Sequence, residues 1–219
     1  MPAWVDLTKK GTIVLGLARS GTHHASHLVL QELQHKKIKF DYLNEIAFLP
    51  YGDVDDLTWV EFLKETKEEL LKKHSMASKN YIVASIVNTG TAITFFGDIL
   101  KDFHIVVLHR KDVWAHFISK TIFNKVPLNG FTVTDDSIDL IELPICFPLD
   151  QVAKWLAARY FLHNLATVKN FQNIYYEDIK DIESTWPKSA KLNKHPSEIF
   201  SNFEEIDLMF KKVQYIHGW

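Results

Sequence analysis

The chain has 219 residues, 47% of them hydrophobic and six of them Trp, which is long enough to bury one sizeable core and short for two. With 25 Lys plus Arg against 27 Asp plus Glu, its net charge of -2 gives no whole-molecule attraction to nucleic acid or an anionic membrane, so any anion site has to be built locally. The one cysteine, Cys146, excludes an internal disulfide and a multi-cysteine metal centre, fits a reducing compartment, and reads as a small buried hydrophobe.

In chain order, the first element is a strand at 12–17, TIVLGL. Its position near the N-terminus leaves no room for a basic, apolar, cleavable leader, and no later stretch stays apolar for the roughly 18 residues of a membrane span. A soluble, cytoplasmic protein is expected. A helix over 21–34 puts Ala25, Leu28 and Leu33 near one face, and a second strand follows at 37–43, KIKFDYL. Thr58 is placed to cap an amphipathic helix over 59–74. Strands at 81–87 and 103–109 come next, then a helix that carries Ser119.

The stretch 124–148 holds three prolines, a glycine and the acidic run TDDSIDLIE without a clear period, and reads as an insertion or lid. A long helix is expected within 149–168, a last strand at 171–176 and a closing helix over 203–213. Short β-branched or aromatic runs separated by segments of helical spacing predict an α/β fold, a central and mainly parallel sheet covered by helices, in a single domain over 1–219.

Between the first strand and the first helix lies Gly16-Leu17-Ala18-Arg19-Ser20-Gly21-Thr22-His23. Free backbone N–H groups and the helix dipole favour a phosphate at such a handover. The two glycines have the spacing of a nucleotide-binding G-x-x-x-x-G-K-[ST] loop, but Thr22 stands where that loop has its lysine, and the cation sits inside the loop instead, at Arg19. The plainer alternative is a glycine that lets a strand turn into a helix beside a solvated arginine.

A second motif follows the strand at 103–109. Arg110-Lys111-Asp112 precedes a helix in which Ser119 stands nine residues after Arg110. A guanidinium fork and a hydroxyl two turns along suit a phosphate dianion, whereas the plain reading is a charged helix start with Asp112 complementing the dipole. A third element, Tyr175-Tyr176-Glu177-Asp178, closes the last strand, and capping by Asp178 accounts for it equally well.

Together, in this order, the three motifs resemble those of the sulfotransferases. A-R-S-G-T-H is similar to that family's 5'-phosphosulfate loop P-[KR]-[ST]-G-T-T, with Ala18 in place of proline and His23 in place of a hydroxyl. R-K-D followed by Ser119 is similar to its 3'-phosphate element, in a form closest to bacterial glycolipid sulfotransferases, which have a glutamine near the place of His116. Tyr176 falls in its Y-E-D element. The resemblance spans roughly 12–180 and implies a three-layer, P-loop NTPase-like architecture. It further implies a transferase that uses 3'-phosphoadenosine-5'-phosphosulfate as donor, releases adenosine 3',5'-bisphosphate and requires no metal. Ala18, Arg19, Ser20, Gly21, Thr22, His23, Arg110, Lys111, Ser119 and Tyr176 would hold the donor. Arg19 would neutralise charge developing on the leaving phosphate, and His23 would donate to the same group.

Sulfuryl transfer to a hydroxyl needs a general base, expected at the carboxyl end of a strand beside the phosphate loop. The second strand runs into KFDYLNE. Glu45 is read as lying just past it and Asp41 within it, Glu45 being preferred. Related bacterial enzymes have a glutamate in this region, and Asn88 and Thr89 after the third strand are the next place to look. Either acid is equally readable as a solvated loop carboxylate. His23 and His27 share a helical face at i, i+4, but without the Glu of an H-E-x-x-H frame or a third ligand they read as phosphate contacts or packing, not as a metal site.

The sequence does not single out the acceptor: a small molecule or glycan is expected, with sugar, lipid, small alcohol and protein tyrosine all open, and its pocket is expected from 44–57 and 124–148. No nucleic-acid partner and no membrane insertion are expected. Two other functions fit the same motifs: a P-loop nucleotide kinase, which would need magnesium, and a catalytically inactive nucleotide-binding module.

Overall fold

The structure, a computed structural model, describes residues 5–46, 80–87, 101–125, 133–184 and 191–217, with isolated positions at 61, 64, 65, 68, 72 and 97. Of the helix expected over 59–74, positions 61, 64, 65, 68 and 72 are helical. Thr58, Asn88, Thr89 and most of the expected acceptor segment 44–57 lie outside the described residues. The fold is α/β, with a five-stranded, all-parallel sheet and flanking helices. The chain divides into two compact units, Met1–His109 with Leu162–Trp186, and Arg110–Phe161 with Pro187–Trp219.

The first unit contains the sheet. Strands β1 (Gly11–Gly16), β2 (Phe40–Ile46), β3 (Tyr81–Val87), β4 (His104–His109) and β5 (Gln172–Tyr175) lie in the order β2-β3-β1-β4-β5. β1 is central and buried along its whole length, which is why it reads as a continuous apolar run instead of an alternating one. Helix α1 (Thr22–His35) lays Ala25, Leu28, Val29 and Leu33 against Val14, Val83, Val106 and Leu108, a stripe at i, i+3, i+4 and i+8.

β2 begins and ends three residues later than the apolar run suggests. Its register against β3 shifts between Leu43 and Ile46, so the polar pair Asn44-Glu45 belongs to the strand and Glu45 lies inside β2 rather than past its end. That irregularity also ends the clean pattern on which the sequence reading of the boundary relied.

One polar chain ties the start of the sheet together. Tyr81 donates its hydroxyl to the Asp6 carbonyl at 3.0 Å, which leaves its oxygen to accept from the Thr12 hydroxyl at 2.7 Å. Burial pushes the Tyr81 phenol up to about 12. Thr12 is fully buried, so Tyr81→Phe is expected to strand its hydroxyl and lower unfolding free energy by about 1–3 kcal/mol. An unchanged urea midpoint would show that the chain of bonds contributes nothing.

The second unit is helical: α2 (Val113–Phe123), α3 (Asp135–Asp139), the first part of α4 (Leu149–Val168), and α6 (Pro196–Ile199) and α7 (Phe203–His217). A short helix, α5 (Tyr176–Ile179), follows β5 in the first unit. Phe117, Phe147, Trp155, Phe200 and Phe210 pack as tilted and edge-on pairs with centroids 4.9–6.4 Å apart, the geometry aromatic quadrupoles favour. Trp114 joins them and donates its indole N–H to Asp207 at 3.3 Å.

Within the expected insertion, Ile145 bridges to Phe200, and the Asn202 amide brackets the Phe147 backbone at 3.1 and 2.8 Å. Ile145 and Phe147 are buried. Cys146 between them is exposed, contrary to the expected buried hydrophobe, because neighbouring side chains in extended backbone point to opposite faces.

Candidate functional site

The order β2-β3-β1-β4-β5 contains a reversal. The chain leaves β1 toward the β2 edge and leaves β4 toward the β5 edge, although β1 and β4 are hydrogen-bonded neighbours with Gly16 level with Leu108. Ligands of open parallel sheets bind outside the carboxyl ends of the strands at such a switch point. The glycine loop is the segment that follows β1.

Its geometry is that of a cradle. Arg19 has φ 66° and Gly21 φ 101°, so two left-handed residues flank Ser20, whose N–H turns back to the Leu17 carbonyl at 3.0 Å. Alternation of this kind points backbone N–H groups inward, as in anion-binding nests. Gly16 is required by closeness, since a Cβ there would meet the Ser20 hydroxyl and the Thr22 methyl. Gly21 is required twice over, by its φ and by the Tyr176 ring that occupies the place of a Cβ.

Ser20 is 1% exposed, and its Oγ has no hydrogen-bond partner among the described residues. Helix α1 begins with Gly21 as an N-cap that offers no side-chain acceptor, and no acid lies in its first turn. Its first N–H groups and positive dipole end therefore meet no anion from this loop or turn.

The start of α2 is built the other way. Asp112 caps it, accepting from the Ala115 N–H at 2.8 Å, so that terminus carries its own carboxylate. Of the two helices that follow the switch-point strands, α1 is the one without a side-chain cap.

Four histidines lie on α1, three of them, His23, His24 and His27, in its first two turns. His24 Nε2–H donates to the Ile179 carbonyl at 2.9 Å, which leaves Nδ1 to accept from the Ser184 hydroxyl at 2.8 Å; its ring meets Tyr176 edge-on at 6.0 Å. This straps the segment after β5 to the start of α1 and presses Tyr176 onto Gly21. His23 is buried. His27 packs edge-on against Tyr42 at 5.6 Å, and burial first, then the fields of His23 and His24, hold its pKa below the ordinary value of 6.5.

The unfolded chain thus takes up a proton at His27 before the folded one does. Stability is expected to be fully present above pH 6.5 and to fall as pH drops through the depressed value. Urea midpoints of the parent and His27→Gln measured from pH 7.5 to 5 check this. An equally steep decline in both would assign the effect elsewhere. Among the described residues, no three His, Cys, Asp or Glu side chains form a metal-holding group.

The two acids proposed as bases differ in height along the sheet. Asp41 is level with Ile82, and through it with Gly11, whereas Ile46 beside Glu45 is level with Ile86 and so with Leu15. Asp41 is therefore about 16 Å below the carboxyl end of the strands, accepts from the Asn80 amide at 3.4–3.5 Å, and is not brought to the loop. Glu45 is at the correct end. However, β3 stands between β2 and β1, so β2 is not the strand next to the loop.

In the second unit, Arg110 reaches the Ala115 carbonyl at 3.5 Å, Lys111 is exposed and Ser119 half-buried. Beside Ser119, Lys120 lies 5.8 Å from the Phe147 ring centroid, and burial lowers its pKa. Sequence reasoning missed Arg159. Its guanidinium donates to the Arg110 carbonyl at 2.9 Å and to His116 Nδ1 at 2.9 Å. The partners lie 49 and 43 residues away, and no spacing rule within α4 signals them.

The chain matches no protein-family model and no curated protein. No helix among the described residues is long and apolar enough to cross a membrane.

Proposed function

We propose that the protein is a sulfotransferase of P-loop NTPase-like architecture that moves a sulfuryl group from 3'-phosphoadenosine-5'-phosphosulfate to a hydroxyl acceptor. The observation that carries this reading is the loop after β1: left-handed Arg19 and Gly21 around a buried Ser20 hydroxyl with no partner among the described residues, at the N-terminus of α1, which has no side-chain cap. Such a loop suits a tetrahedral anion; a cation inside it, in place of a following lysine, departs from the magnesium-bound triphosphate loop and is the feature in which it resembles the sulfotransferase phosphosulfate loop.

In this reading Ala18 to His23 cradle the phosphosulfate, and Tyr176 holds Gly21 in the conformation the cradle needs. The acceptor oxygen attacks sulfur in line, the bond from sulfur to the phosphate oxygen breaks, Arg19 neutralises the charge left on that oxygen, and the acceptor's proton passes to Glu45. Arg110, Lys111 and Ser119 take the donor's 3'-phosphate, an assignment that rests on motif order along the chain. Asp112, which caps α2, is not part of that set.

Calorimetric titration tests the reading. The protein is expected to bind adenosine 3',5'-bisphosphate without Mg2+ and in preference to ATP. Arg110→Ala should weaken the bisphosphate by roughly 10–150-fold, the equivalent of a charge-assisted bond of about 1.5–3 kcal/mol, and leave adenosine 5'-phosphate nearly unaffected. Ser119→Ala should give the same selectivity with a smaller loss. Magnesium-dependent binding of ATP would make the protein a nucleotide kinase, and bisphosphate binding without transfer to any acceptor would make it an inactive binding module.

A further inference from the structure

The strongest unabsorbed feature of the second unit is the junction of Arg159, His116, Trp155 and the Arg110 backbone. Arg159 stands on α4, its guanidinium carbon 5.3 Å from the Trp155 ring centroid. One Nη donates to the Arg110 carbonyl and the other to His116 Nδ1, each at 2.9 Å. A guanidinium has donors only, so His116 Nδ1 must accept. The buried imidazole, 1% exposed, is therefore neutral and carries its proton on Nε2.

The His116 ring is also held edge-on to Trp155 at 5.2 Å, and the His116 backbone N–H donates to the Asp112 carbonyl at 3.1 Å in the first turn of α2. A single cation thus grips both ends of the Arg110–Asp112 turn, the preceding backbone directly and the helix start through a neutral histidine. A planar fork with two fixed donors does this, whereas an ammonium cannot span both acceptors in the same plane.

We infer that Arg159 is a positioning residue: by holding the Arg110 carbonyl and a neutral His116, it fixes the Arg110 turn and so sets selectivity for a 3'-phosphorylated nucleotide. This rests on the donor reading above, and it assigns the selectivity to a side chain outside the motifs that suggested that reading. The role follows from geometry within one unit and requires no contact between Arg159 and the ligand.

The full-length chain tests it with adenosine 3',5'-bisphosphate and adenosine 5'-phosphate as paired probes. Arg159→Lys keeps the charge and loses the second bond, so it should lower the preference for the bisphosphate about tenfold while adenosine 5'-phosphate affinity stays within about twofold, the loss expected for one charge-assisted bond. His116→Gln restores an acceptor oxygen for Arg159 and should retain most of the preference. His116→Leu should lose it. Side-chain 15N spectra of the parent provide a readout independent of any nucleotide, namely a bare Nδ1 and a protonated Nε2 on His116, with the bare signature perturbed in Arg159→Lys.

Equal weakening of both nucleotides in Arg159→Lys, or an unchanged preference, overturns the inference while leaving the donor reading standing. A protonated Nδ1 in the parent overturns it as well. A parent protein that binds the two nucleotides equally overturns the donor reading, and the selectivity role of Arg159 with it.

Discussion

Replacing Arg19 with alanine is expected to lower turnover by about a hundredfold or more while the protein stays folded. The magnitude is that of a single preorganised donor removed from developing transition-state charge. The structure adds a complication that the substitution must be designed around, because Arg19 has φ 66°, where a residue with a Cβ is strained by roughly 1–2 kcal/mol. Alanine keeps that strain and removes the guanidinium. Arg19→Gly removes both, and the entropy glycine adds to the unfolded chain, about 0.5–1 kcal/mol, offsets much of the relief.

Stabilities of the alanine and glycine variants should therefore fall within about 1 kcal/mol of the parent, and both should lose turnover alike, measured as transfer of radiolabelled sulfuryl from the donor. Arg19→Lys, which keeps charge without the fork, should fall between. If the glycine variant retains parental turnover, the arginine is there for its backbone conformation and not for its charge.

Strands and long helices with unbroken patterns were legible from the residues. β3 has the bounds that its apolar run suggested, residues 81–87, because a strand buried in a parallel sheet is apolar throughout, and α4 fills the window 149–168 within which a long helix was expected. β2 was not, since its register shift hides the last strand residues behind Asn44 and Glu45. Helix α6 was missed although its signals were present: Pro196 at the first helical position and Glu198 at the third, with His195 as the capping side chain. His195 is outside the usual set of capping residues, which is why the box went unseen.

The site divides along the same line. The glycine loop is local, so its residues were readable from one octapeptide, down to the two glycines that the φ of Gly21 and the crowding at Gly16 require. What the octapeptide withheld is tertiary. Tyr176 seats its ring on Gly21, and His24 bonds to Ile179 and Ser184 more than 150 residues away. The contrast between an α1 without a side-chain cap and an Asp112-capped α2 also needed coordinates, because an acid before a helix is readable as either a cap or a ligand-facing charge.

Glu45→Gln is expected to lower transfer to a hydroxyl acceptor by about 10²–10⁴-fold, the range for loss of a general base, with donor affinity nearly unchanged. The substitution keeps size and hydrogen-bonding capacity and removes only the ability to take a proton. Asp41→Asn is the internal control that the sheet register provides. Asp41 is level with Gly11 at the amino end of the strands, whereas the residue after Glu45 is level with Leu15, next to the start of the glycine loop. Both acids belong to the same strand, so a general effect of weakening β2 would appear in both variants, while a chemical role at the carboxyl end appears only in Glu45→Gln. The opposite result, an inactive Asp41→Asn beside an active Glu45→Gln, would contradict the placement of the reaction at the carboxyl edge. Normal turnover in both would move the base off β2 altogether. Its place would then be the end of β3, which unlike β2 is hydrogen-bonded directly to β1, and Asn88 and Thr89 would be the next substitutions to make.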